Sequence, residues 1–86
     1  MKLWDHAEVT YSQAAIFHER CYAVYFRGEL QGYVSKRPSR LWGYRVIDRD
    51  PAGQMIEKPW TVPYETRALA ADHLISANRP SAAWLK

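Results

Sequence analysis

The sequence predicts an α+β domain: an N-terminal helix, a four-stranded antiparallel meander sheet, and a C-terminal helix packed on one sheet face. Three observations predict it. Two stretches of alternating residues each fold about strong turn chemistry, at Gly28 and at Asp50 to Gly53. An apolar stripe at 3.6-residue spacing follows near the end of the chain. The whole is 86 residues, the length of a single domain spanning 1–86.

The N-terminal helix is expected over 6–19. Asp5 suits an N-cap, and Glu8 stands where it would reach back to that cap. Trp4 and Val9 have the spacing of a hydrophobic staple. The apolar stripe of this stretch is untidy, and Val9-Thr10-Tyr11 also suits a strand.

A first hairpin is expected over 21–35. Tyr22, Val24 and Phe26 alternate with Cys21, Ala23 and Tyr25. Gly28-Glu29 suits a two-residue turn that needs positive φ at its first position. That turn would set Tyr25 opposite Gly32 and Val24 opposite Tyr33.

Lys36 to Arg40 is a basic loop that Pro38 keeps out of any ladder. A second hairpin is expected over 41–58, with Trp42, Tyr44 and Val46 on one face and Gly43, Arg45 and Ile47 on the other. Asp50-Pro51-Ala52-Gly53 has type I turn chemistry. Pro59 ends the returning strand or marks an edge. Residues 60–65 read as a connector. Thr66 then caps a helix over 67–77 whose stripe is Ala68, Ala71, Leu74 and Ile75. Asn78 suits a left-handed C-cap, and Pro80 blocks extension. Trp84 and Leu85 end the chain as a short tail.

Twelve aromatic residues are more than a thin core can hide, so a few should reach the surface. Cys21 is the single cysteine, which reads as a buried, inert thiol in a cytoplasmic protein. No apolar run is long enough to cross a bilayer, and the N-terminus turns polar too soon for a signal peptide. A net charge of +3 permits a polyanionic partner without demanding one.

Catalytic chemistry finds no support. His6, His18, His73 and Cys21 lack the local spacing of a metal site. Asp72 and His73 are neighbours on a helix and so face apart. The four glycines are scattered, each explained by a turn or strand, and form no phosphate loop. No catalytic residue, metal or cofactor is expected.

One segment carries a functional expectation. Between Arg20 and Arg49 lie seven basic residues against two acidic ones, interleaved with six aromatics. Cations neutralise phosphates, and aromatic faces stack on bases. A nucleic-acid interface is therefore expected from Arg27, Lys36, Arg37, Arg40, Arg45, Tyr33, Trp42 and Tyr44. Three strands followed by a packed helix, over 21–77, resembles the layout of plant AP2 domains and integrase arm-binding domains. That resemblance implies a sheet that meets DNA.

The alternative is a protein-binding inhibitor or adaptor, an accessory protein of a bacterium or virus. Trp, Tyr and Arg also make interface hot spots, and Trp60 and Trp84 could anchor a partner. The two readings part on one point: the first needs the arginines to converge on one open surface.

Overall fold

The computed structural model describes residues 6–78. It is a small α+β fold: a five-stranded antiparallel sheet, ordered β1-β2-β3-β4-β5, with one C-terminal helix. The strands are β1 (Val9–Ile16), β2 (Glu19–Phe26), β3 (Glu29–Lys36), β4 (Trp42–Val46) and β5 (Thr61–Tyr64), and the helix is α1 (Arg67–Asn78).

The expected N-terminal helix over 6–19 does not form. Only a 3-10 turn forms, at His6–Glu8, and β1 takes the rest. Local capping signals lose to tertiary pairing here. As a strand, Val9 is buried in the main core, and the full length of β1 pairs with β2 in unbroken register. The proposed cap Asp5 and staple residue Trp4 lie outside the described residues. So do Pro80 and the tail.

Two tight loops shape the first three strands. Phe17 and His18 both have positive φ and join β1 to β2. Arg27 (φ 54) and Gly28 (φ 81) join β2 to β3, the left-handed pair of a type I′ turn. The expected turn at Gly28-Glu29 is thus displaced by one residue. Tyr25 faces Leu30, and a bulge at Val24/Tyr25 brings Gly32 opposite Val24 and Tyr33 opposite Ala23. Glu8 fixes the displaced turn: its carbonyl accepts from the Arg27 amide at 3.0 Å, and its carboxylate pairs with Arg27 Nε at 2.6 Å.

The Asp50 turn forms as expected. Gly53 N–H donates to the Asp50 carbonyl at 2.8 Å, and Asp50 Oδ1 accepts from the Ala52 and Gln54 amides at 2.9 Å. The leg beyond this turn does not return as a strand. A single Arg49–Met55 bridge is all the ladder pairing it makes, and β5, expected as a connector, flanks β4 instead. The physical reason lies in the apolar residues. Ile47, Met55 and Trp60 fold over the face opposite α1 and cover Cys21, Ala23 and Tyr33. Pro63 is tolerated because β5 is an edge.

Thr66 caps α1 as expected, its Oγ1 accepting from the Leu69 amide at 3.1 Å. The helix buries Ala70, Ala71, Leu74 and Ile75 against Val24, Phe26 and Val34 of the sheet. Each fully buried large apolar side chain contributes roughly 1.5–3 kcal/mol. Asn78 acts through its side chain rather than by a left-handed backbone: Nδ2 donates to the Gln31 carbonyl at 2.7 Å.

At Gly32 the helix presses directly on the sheet. The φ of Gly32 is +153, and a Cβ there would collide with the Arg45 carbonyl and lie 2.8 Å from Leu74 Cδ1.

Candidate nucleic-acid interface

The expected site does not assemble on one surface. β-pleating puts Tyr33 and Arg45, which are register partners, on the face away from α1. Both are buried there. Trp42 and Tyr44 point the other way and pack against the main core under α1. Tyr44 lies 5.8 Å from Tyr64, which stacks on His73 at 4.5 Å. Arg27 sits on the β2–β3 turn, at the opposite end of the sheet from the 37–41 loop.

On the rear face, the cations are already matched. The Arg45 side chain is only 6% exposed. Its Nε donates to the Lys58 carbonyl at 2.5 Å, and its guanidinium stacks over Trp60 at 4.3 Å. Glu19 and Glu57 lie 3.8 and 3.6 Å from it. Arg37 joins the same cluster, 3.6 Å from Glu19 and 4.9 Å from the Trp60 ring. Trp60 Nε1 closes the network by donating to Glu19 Oε1 at 2.9 Å. These are fastenings of the 47–60 loop to the sheet. Trp60 anchors this loop and is half-buried.

The network predicts a pH dependence. The Trp60 hydrogen bond, with Arg37 and Arg45 nearby, holds the Glu19 carboxyl below its ordinary value of 4.5. A depressed carboxyl stabilises the fold above its unfolded value and loses that contribution as pH falls through its folded value. Urea midpoints of wild type and Glu19→Gln should therefore differ at neutral pH and converge well below pH 4.5. A gap independent of pH would contradict the assignment.

Cys21 is buried, and burial pushes its thiol above the ordinary 9.0, as suits an inert core residue.

A different surface collects unpaired charge beside aromatic rings. On the α1 side, the pleat aligns Ala15 with Arg20 across β1 and β2, and Lys36 with Trp42 across β3 and β4. Gln13, Tyr22 and Val34 form the next row. The helix packs on β3, β4 and β5 and leaves the β1–β2 side of this face open. The result is a groove of about 720 Å³ whose lining includes Gln13, Arg20, Tyr22, Lys36 and Trp42, with no carboxylate among its lining residues. The Tyr22 and Trp42 rings stand 6.1 Å apart. Neither Arg20 nor Lys36 has an ion pair among the described residues. Arg67 of α1 borders the groove, its guanidinium 5.1 Å from the Tyr22 ring and 4.0 Å from that of Tyr11. The exposed Arg40 lies on the loop at the same end of the sheet.

Of the eight expected residues, the groove takes Lys36 and Trp42. Arg20 and Tyr22 were missed. Both belong to the basic-aromatic run and share strand parity, a signal that becomes a site only once the β2–β3–β4 registers are known. The three exposed large apolar side chains among the described residues are scattered: Leu30 on β3, Ile56 on the loop after β4 and Val62 on β5. No protein-family model, curated protein or solved structure matches the chain.

Proposed function

We propose that the chain is a non-enzymatic binding module for single-stranded nucleic acid, and that the groove on the α1 side of the sheet is its site. One observation carries this reading: Arg20 and Lys36, two cations without an ion pair among the described residues, share an open groove with the Tyr22–Trp42 ring pair and no lining carboxylate. Phosphates meet the cations, and an unpaired base stacks on an aromatic face; stacking contributes about 1–3 kcal/mol per base. The bases of a duplex are already stacked on one another and offer the rings only their edges.

Fluorescence anisotropy with a labelled single strand and its duplex tests it. Affinity for the single strand should fall as salt rises. Arg20→Ala and Lys36→Ala should each reduce the log–log salt slope by about 0.7. Arg27→Ala, at the far end of the sheet, should leave the slope unchanged. No binding at low salt would remove the proposal. Equal loss from Arg27→Ala would do the same, since it would mean that net charge alone is being measured.

A further inference from the structure

The two edges of the sheet are protected very differently. β5 is four residues long, carries Pro63, and meets β4 in a shifted register. Short length, proline and irregularity are the usual means of blunting an edge. β1 has none of them. It runs eight residues, Val-Thr-Tyr-Ser-Gln-Ala-Ala-Ile, without a charge, a proline or a glycine. Its pairing with β2 is continuous from Val9 to Ile16, so the strand is regular along its length. Its outer side is unpaired among the described residues.

The loop geometry says which peptide groups are free. Ile16 and Glu19 close the two-residue Phe17–His18 loop. Such a loop closes on a hydrogen-bonded pair. By alternation, Ala14, Ser12 and Thr10 bond inward to β2, and Ala15, Gln13 and Tyr11 turn their N–H and C=O groups outward.

We infer that β1 is a self-pairing edge, and that two copies of the chain join antiparallel along it into one ten-stranded sheet. The occupant is a second copy because the strand is complementary to itself about Gln13. A two-fold axis there, normal to the sheet, keeps each face with its like. Gln13 then meets Gln13, Tyr11 lies across from Ala15, Ser12 from Ala14, and Thr10 from Ile16. The bulky ring falls opposite a methyl, and no like charges meet. The outward groups of Gln13, Tyr11 and Ala15 find partners in that register. Because β5 is blunted, association uses one edge per copy and closes at two instead of extending into a filament.

Sedimentation velocity of the full chain over a wide concentration range reads the outcome. Twice the chain mass, approached reversibly as concentration rises, is the expected result. Gln13→Lys and Gln13→Glu should each give a monomer, since either charge meets itself at the axis. An equimolar mixture of the two should recover the dimer. Gln13 is exposed, so neither variant should disturb the fold, and circular dichroism checks this directly. A wild type that stays monomeric throughout, or that grows open-ended, overturns the inference. So does a Gln13→Lys variant that remains a dimer. Nucleic-acid affinity plays no part in the readout, so the two proposals stand or fall separately.

Discussion

Replacing Arg45 with alanine is expected to lower stability by about 2–4 kcal/mol, a fall in Tm of roughly 10–25 °C for a chain of this size. Three losses combine. The Lys58 carbonyl loses its donor, the Trp60 ring loses the cation stacked at 4.3 Å, and the space left by a long side chain that is 6% exposed must collapse. The partly exposed carboxylates of Glu19 and Glu57 can rehydrate, which keeps the cost below that of a fully buried pair. Arg45 Nη1 makes no hydrogen bond among the described residues. Arg45→Met should recover much of the packing and lose less. Thermal unfolding followed by tryptophan fluorescence decides it. An Arg45→Ala variant as stable as wild type would show that the loop is held by apolar contacts alone.

Gly32→Ala is the second large effect. Here the objection is to one methyl group. It would meet the backbone of β4 at Arg45, which cannot move without breaking the β3–β4 ladder, and Leu74 Cδ1 at 2.8 Å. The φ of +153 adds strain that alanine rarely accepts. Overpacking and backbone strain each cost about 1–3 kcal/mol, so a loss of about 3 kcal/mol or more is expected in urea unfolding. Gly28→Ala makes the comparison. Its Cβ would meet nothing within 4 Å, so only the strain of its φ of +81 remains, and the loss should be clearly smaller.

Legibility in the sequence followed the range of the forces involved. The Asp50 turn and the Thr66 cap are decided within a few residues, and both were readable. The N-terminal segment misleads because Gln13, Ala14 and Ala15 are indifferent strand formers; β2 makes them a strand. Positive φ at Phe17 is not a property that sequence advertises, so the β1–β2 turn had no local signal. The same holds for Arg27, whose left-handed backbone moved the second turn by one residue. Strand parity correctly separated Trp42 and Tyr44 from Arg45. What parity could not supply is which face would be roofed by a loop. Glu19 and Glu57, the residues that neutralise Arg45, lie outside the run that looked basic.

The strictly sequential strand order carries a consequence for how the chain comes into being. Each strand pairs with the one synthesised just before it, so every hairpin has its partner present as soon as it is made, and loop closure costs little at each step. Long-range contacts arrive last, among them Trp60 reaching back 41 residues to Glu19 and Asn78 reaching back 47 to Gln31. A ribosome-bound meander would therefore keep its apolar side bare until α1 emerges. The final helix is what turns a set of local pairings into a closed cooperative unit.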